Sequence, residues 1–218
     1  MITMKRSTLQ RLVRFLMRAL TRSEFIDFNR VPASGGVILA INHLSHLDTP
    51  LLFVNPVRPD ITALVTTKYK QNKFVSWFTD MAEGIWIDRD IADFTAIRAA
   101  SKVLSGGWAL GIAPEGTRSK NGMLQEGKPG TILLAVKSGV PIVPVGITGT
   151  GDAFHKLSRL RRPHLVVRFG QPFTIPQLEP GERSEQLRYW TDVLMCRIAA
   201  LLPAEYRGEY ASHPLLNT

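Results

Sequence analysis

The sequence predicts an α/β fold: a single domain with a mixed, largely parallel sheet flanked by helices, plus an N-terminal amphipathic helix. Three observations predict it. Short apolar runs of strand length alternate with segments of helical period from Val37 onward. No linker, internal repeat or low-complexity tract interrupts that alternation. The chain has 218 residues, 44% of them apolar and 21% charged, which suits one domain with a proper core.

The elements follow in order. From Thr8 to Leu20 the apolar residues Leu9, Leu12, Val13, Leu16, Met17 and Leu20 recur every three or four positions, which aligns them on one helical face. Arg11, Arg14 and Arg18 flank that stripe. A cationic amphipathic helix of this kind fits the headgroup region of a bilayer, and it equally fits docking on the domain itself. The absence of acids before Glu24 favours the membrane, so residues 1–30 are read as a membrane-associating segment and 31–218 as the folded domain.

Ala33–Gly36 reads as a turn and Val37–Ile41 as a buried strand, with a helix opening near Pro50. Strand Ile61–Thr66 precedes a helix over Phe74–Met81. Strand Gly84–Asp88 precedes one over Ala92–Leu104. Strand Trp108–Ala113, a loop over Pro114–Ser119 and a helix over Thr131–Lys137 follow, the last stopped by Gly139. Pro141–Thr148 and Leu165–Phe169 complete the strands. A final helix over Ser184–Leu202 carries Leu187, Trp190, Leu194, Ile198 and Leu201 on one face. In such folds chemistry collects on loops beyond strand ends, so the polar clusters after Ile41, Ile87 and Ala113 have an architectural reason to converge.

Charge narrows the partners. There are 27 basic and 18 acidic residues, a net charge of +9, which favours a polyanionic partner such as a membrane surface, nucleic acid or phosphorylated substrate. Residues 1–35 hold seven of the cations against Glu24 and Asp27 alone, so most of the excess sits at the N-terminal end. Nucleic-acid binding would want aromatics interleaved with the basic patch, and here Trp and Tyr are scattered. The single cysteine, Cys196, excludes an internal disulfide and reads as a packing residue. No apolar run reaches the ~18–20 residues of a membrane-spanning helix. Arg11, Arg14 and Arg18 also break up the apolar region that a cleavable signal needs.

The segment Asn42-His43-Leu44-Ser45-His46-Leu47-Asp48 places a histidine and an acid five positions apart, where a strand end turns into a helix. A bend there brings the Asp48 carboxylate onto one nitrogen of His43, leaving the other to take a proton. That is the base and its orienting acid without a protein nucleophile, so a substrate hydroxyl would attack. On these residues alone two other readings stay open. His43, His46 and Asp48 are possible metal ligands, although helical pairs usually sit at i, i+4. His43 also fits a structural role at a strand–helix turn. Ser45 lacks the G-x-S-x-G elbow of a nucleophile.

The segment Pro114-Glu115-Gly116-Thr117-Arg118-Ser119 follows a strand. Gly116 lets the backbone approach a ligand, Thr117 and Ser119 carry donors, and Arg118 can grip phosphate bidentately. Glu115 can accept from a substrate hydroxyl or hold Arg118. A turn with a surface arginine is the plain alternative. Gly146–Gly151 superficially looks like a nucleotide loop, but its spacing is not G-x-G-x-x-G and it is set aside.

Taken together, Asn42-His43-x-Ser45-x-x-Asp48 and Pro114–Ser119 resemble the first and third motifs of the 1-acylglycerol-3-phosphate acyltransferase family. Gly84-Ile85-Trp86-Ile87-Asp88-Arg89 is similar to its second motif, and Val140–Val145 to its fourth. Lys128 and Gly130 fall where members commonly carry a Lys and a Gly. The resemblance covers about residues 30–170, with four blocks in order.

The resemblance implies that 31–218 is a glycerolipid acyltransferase domain with His43 as general base and Asp48 as its partner. Arg89, Glu115, Gly116, Thr117 and Arg118 would bind the glycerol phosphate of the acceptor, and Pro141–Val145 would help wall the acyl pocket. It implies an acyl-CoA or acyl-carrier-protein donor, no metal and no other cofactor. Lysophosphatidic acid would be acylated to phosphatidic acid on the cytoplasmic face of a membrane, bound peripherally or monotopically. Another lysophospholipid acceptor, or a non-enzymatic basic membrane-binding module, is the alternative. Ala113 departs from an aromatic common before the third motif. Thr66–Tyr69 matches a lysine-containing stretch only loosely, which leaves Lys68 a weaker phosphate contact. The basic loop Lys156, Arg159, Arg161 and Arg162 matches no motif and reads as a solvated charge run.

Overall fold

Five consecutive apolar residues, Val37–Ile41, form a strand covered on both faces. Val37, Leu39 and Ile41 enter one core cluster, while Ile38 and Ala40 enter the other. A strand buried this way belongs at the centre of a sheet between two helical layers. The computed structural model describes residues 5–88 and 94–217 and shows that arrangement. Its strands are β1 (Arg22–Ile26), β2 (Val37–Ile41), β3 (Ile61–Thr66), β4 (Ile85–Ile87), β5 (Ala109–Ile112), β6 (Ile142–Thr148) and β7 (His164–Phe169). They lie in the order β1-β7-β6-β2-β5-β3-β4, every neighbouring pair parallel except β6 and β7.

The helices are α1 (Arg6–Leu20), α2 (Asp48–Phe53), α3 (Lys73–Met81), α4 (Phe94–Ser105), α5 (Gly130–Ser138), α6 (Ala153–Ser158) and α7 (Arg183–Ala200). Side chains from α1, α2 and α3 pack on the sheet face of Val37 and Leu39. Those from α4, α5 and α7 pack on the face of Ile38 and Ala40. Local chemistry sets the ends. The Asn72 side chain caps α3 by accepting from the amides of Phe74 and Val75, and Gly139 closes α5 in the left-handed conformation at φ 65°. Cys196 is buried in α7 as a packing residue.

The end of the sheet away from the candidate site is tied by Arg58, which is fully buried. Its guanidinium pairs with Asp60 and donates to the carbonyls of Pro32, Gly35 and Gly107. Arg58 holds the Asp60 carboxyl below the usual range through these bonds.

Two elements were not legible in the sequence. β1, an edge strand, is three polar residues followed by Phe25 and Ile26, with neither an apolar run nor an alternation to mark it, and α6 is six residues long. β1 pairs with β7 along Arg22–Ile26, so these five residues, which the sequence reading places in the N-terminal segment, are part of the sheet.

The apolar stripe of α1 is also divided. Leu9 and Met17 are buried in the core with Val13 packed against them, and Gln10 donates to the carbonyl of Pro59. Arg6 turns inward as well, donating to the carbonyl of Ile61 and lying over the Phe53 and Trp108 rings. Leu12, Phe15, Leu16 and Leu20 stay exposed. One side of the helix therefore docks on the domain, and the other side is exposed. No helix among the described residues is long and apolar enough to cross a membrane.

Candidate active site

β2 ends at Ile41, and the side chain of Asn42 immediately locks that end to β6. It donates to the Ile147 carbonyl at 2.9 Å and accepts from the Ile147 amide at 2.7 Å. The chain then bends so that His43 and Asp48, five residues apart, meet. His43 Nδ1 lies 2.8 Å from Asp48 Oδ2. Asp48 is completely buried, and the amides of Leu44 and Ser45 donate to the same oxygen at 2.7 and 2.8 Å. A carboxylate that is acceptor to three donors fixes the hydrogen on Nδ1 and leaves Nε2 as the basic nitrogen.

The Pro114–Ser119 loop holds the histidine from the other side. The His43 amide donates to Glu115 Oε1 at 2.8 Å, and the His43 carbonyl accepts from the Ser119 amide at 2.8 Å. Glu115 Oε2 accepts from the Gln125 amide at 2.9 Å. Both oxygens of this buried carboxylate thus face the protein's own backbone, and Glu115 stands behind the histidine. Burial pushes its carboxyl up to about 7, against the two amide bonds that pull it down.

In front of His43 lies a cavity of about 330 Å³. Its origin is in the strand pairing: β3 pairs with β5 over Ile61–Ala63 and with β4 over Leu64–Thr66. The sheet opens where β3 leaves β5, and the cavity fills the fork. Leu64, Val65, Phe78, Ile97, Ala100 and Leu134 line it, so it reaches both helical layers. His43, Thr49, Asp88 and Lys128 supply polar groups on its wall. The strand expected to wall this space, Pro141–Val145, does not. It lies beyond β2 in the sheet order, and Ile142, Val143 and Val145 are buried in the core clusters.

The remaining sequence candidates divide. Gly116 lines the cavity with φ +70°, and a Cβ there would stand 3.1 Å from Lys128 Cδ, so glycine makes room for that lysine. Arg118 is half-buried and donates to the Tyr69 hydroxyl at 3.3 Å, beside the edge-on pair of Tyr69 and His46. Burial, and then the positive charge of Arg118, lowers the His46 pKa. Thr117 and Lys68 are exposed and do not line the cavity, and Arg89 lies outside the described residues. No cluster of three or more His, Cys, Asp or Glu residues suited to a metal occurs among the described residues.

Sequence reasoning passed over two contributors. Tyr69 carried no signal beyond its neighbour Lys68. Thr150 sits in the run set aside as a false nucleotide loop, and its buried hydroxyl donates to Asp48 Oδ1 at 2.6 Å across 102 residues of chain. The basic loop also has a partly structural use: Arg162 donates to the Arg18 and Thr21 carbonyls at the end of α1.

A family model described as Acyltransferase matches residues 22–148. A 1-acyl-sn-glycerol-3-phosphate acyltransferase of Borreliella burgdorferi is 31% identical over 128 residues, covering 58% of this chain and 51% of that protein. One from Bacillus subtilis is 25% identical over 173 residues, covering 78% and 83%. The crystal structure of the 1-acyl-sn-glycerophosphate (LPA) acyltransferase PlsC from Thermotoga maritima shares the fold with a TM-score of 0.65 at 22% identity, covering 86% of this chain and 76% of that one. The chain spans about half the length of the Borreliella relative and most of the Bacillus one.

Proposed function

Because the chain belongs to the acyltransferase family, we propose that it moves a fatty acyl group from a thioester to the free hydroxyl of lysophosphatidic acid, giving phosphatidic acid. The observation that carries this reading is the His43–Asp48 contact of 2.8 Å at the mouth of an apolar cavity. The proton of the acceptor hydroxyl passes to His43 Nε2 as its oxygen attacks the thioester carbonyl. Asp48 stabilises the imidazolium. The tetrahedral intermediate then collapses: the C–S bond breaks, the new C–O ester bond stays, and His43 returns the proton to the departing thiolate. No group on the protein is acylated.

The fork between β3 and β5 suits the acyl chain, since most of its lining is aliphatic. Arg118 and Lys128 bring positive charge to the acceptor side, with Arg118 the phosphate ligand because its planar fork matches phosphate oxygens. Arg89 belongs with them. Thr117 and Lys68, both exposed, serve as contacts at the rim. The donor is acyl-CoA or acyl-carrier protein. No metal or further cofactor takes part in the step.

The acceptor lives in a bilayer, so the reading includes peripheral attachment to the cytoplasmic face. Support comes from one helical layer. The unpartnered side of α1 (Leu12, Phe15, Leu16, Leu20) is interleaved with Arg11, Arg14 and Arg18, and α3 in the same layer exposes Phe74 and Trp77 beside Lys73.

The test is thioester release with bilayer-presented acceptors, followed by mass spectrometry of the product over a panel of lysophospholipids and both donor types. Phosphatidic acid as the preferred product is expected. Equal turnover of acceptors lacking the glycerol 3-phosphate group would favour the broader lysophospholipid reading. Vesicle binding without thioester release would overturn the enzymatic one.

A further inference from the structure

The completely buried Asp48 has two oxygens in unequal positions. Oδ2 serves His43 Nδ1 and the amides of Leu44 and Ser45, while Oδ1 accepts from Thr150 Oγ1 at 2.6 Å. Three of these four donors belong to the segment His43–Ser45. Thr150 is the one that comes from elsewhere in the chain, and it is itself completely buried. The backbone around it leaves little freedom. Asn42 pins Ile147 to the end of β2, two residues before the turn. Gly149 then turns at φ +81°, and a Cβ there would come within 2.0 Å of the His164 carbonyl oxygen. Only glycine fits, so the chain enters Thr150 along one path. The Thr150 carbonyl in turn accepts from the Ala153 amide at the start of α6.

We propose that Thr150 is a positioning residue of the acyl transfer, holding the Asp48 carboxylate in the rotamer that aims Oδ2 at His43. The idea rests on His43 acting as general base. A carboxylate in a site without water turns about its last bond to find donors, and an oxygen left without one is costly. With the Thr150 hydroxyl donating to Oδ1, the carboxylate plane is fixed at both oxygens. Asp48 keeps its charge against His43, and the imidazole keeps the tautomer with Nε2 free. The Gly146–Gly151 run thereby acquires a role unrelated to nucleotides: it delivers one hydroxyl to the back of the catalytic pair.

The experiment compares Thr150→Val, which keeps the shape and removes the donor, with Thr150→Ser, which keeps the donor, and with His43→Ala. Turnover is measured per folded molecule, over pH, with KM for acceptor and donor. The Val variant is expected to lose about ten- to a hundredfold in kcat, the range for one hydrogen bond to a charged group. KM should be unchanged, and the acid limb of kcat/KM should move to lower pH, because a carboxylate no longer held toward Nδ1 stabilises the imidazolium less. The Ser variant should recover most of kcat and restore the limb. Wild-type kcat and pH profile in a folded Val variant would overturn the proposal. So would a loss seen only as unfolding, or one as large in Ser as in Val. Should His43→Ala keep transferring acyl groups, the general-base reading itself fails. An inactive His43→Ala beside a normal Thr150→Val removes only the role of Thr150.

Discussion

The His43 amide donates to Glu115 Oε1 at 2.8 Å, which places the acid of the second polar segment behind the histidine of the first. Because the other Glu115 oxygen accepts from the Gln125 amide, the two segments and the start of the following loop share one buried carboxylate. In Glu115→Gln the side-chain NH₂ would face one of those amides, donor against donor. The histidine loop should loosen, with a fall of about tenfold in kcat and little change in acceptor KM. A raised KM with normal kcat would instead make Glu115 an acceptor ligand.

The same carboxyl predicts a pH dependence of stability. Its value is raised from an ordinary 4.5 to about 7 by burial. Between those two values the folded chain holds a proton that the unfolded chain gives up. The contribution of Glu115 is therefore most favourable below 4.5, declines as pH rises to about 7, and is level above that. The whole decline is on the order of 3 kcal/mol. Unfolding free energies of the wild type and of Glu115→Gln should differ by an amount that changes across this window. A constant difference from pH 4.5 to 7 would show that the carboxyl is not desolvated as the burial implies.

His43→Ala should abolish transfer in a protein that still folds, since general-base assistance is worth roughly 10²–10⁴-fold. Asp48→Asn should be similarly severe, because an amide turned to the imidazole favours the wrong tautomer. Single-turnover rates with dispersed acceptor and circular dichroism of the variants check this. Near-normal rates in folded His43→Ala would end the mechanism.

Much of this was legible in the sequence for a plain reason: α/β strands buried on both faces are continuous apolar runs, and their ends are marked by the first polar residues. Val37–Ile41 and Ile61–Thr66 match their observed strands end to end. The His43–Asp48 pair was readable because five residues and a bend suffice to join them. What was not readable depends on separation. Thr150 meets Asp48 only because β6 lies beside β2, a neighbour relation that residue patterning does not encode. The cavity is lined by β3 and β5 and not by Pro141–Val145, and which strands flank it depends on the sheet order, another relation that patterning does not encode. The stripe of α1 was seen as one face because helical spacing cannot tell Leu9 and Met17, which dock, from Leu12 and Leu16, which do not.

Variants at Arg118 test whether it binds the acceptor. Its guanidinium touches the Tyr69 hydroxyl at 3.3 Å, which steadies it without occupying the whole fork. Arg118→Ala should raise acceptor KM with a smaller effect on kcat, and Lys should rescue only in part because it lacks the bidentate geometry. Tyr69→Phe should produce a milder version of the same change. An equal loss on acceptors with and without phosphate would make Arg118 a structural residue.

The last prediction concerns the proposed membrane contact. Removing the whole N-terminal segment is a poor test, because Leu9 and Met17 belong to the core and β1 begins at Arg22. Truncation would damage the fold whether or not α1 meets a membrane. The exposed side offers a cleaner one: Leu12, Phe15, Leu16 and Leu20 are unpartnered, and Phe15 is 67% exposed. Burying that side in lipid contributes roughly 25 cal/mol per Å² of apolar area. Each arginine at an anionic surface adds on the order of 1 kcal/mol, screened by salt. Replacing the four apolar residues with serine should therefore release the protein from anionic vesicles while leaving its thermal midpoint and its turnover of a dispersed short-chain acceptor near wild type. Glutamate at Arg11, Arg14 and Arg18 should also release it, with the largest effect at low salt. Co-sedimentation with vesicles decides the matter. If the folded serine variant sediments as completely as the wild type, the membrane contact lies elsewhere, and Phe74 and Trp77 on α3 are the next residues to replace.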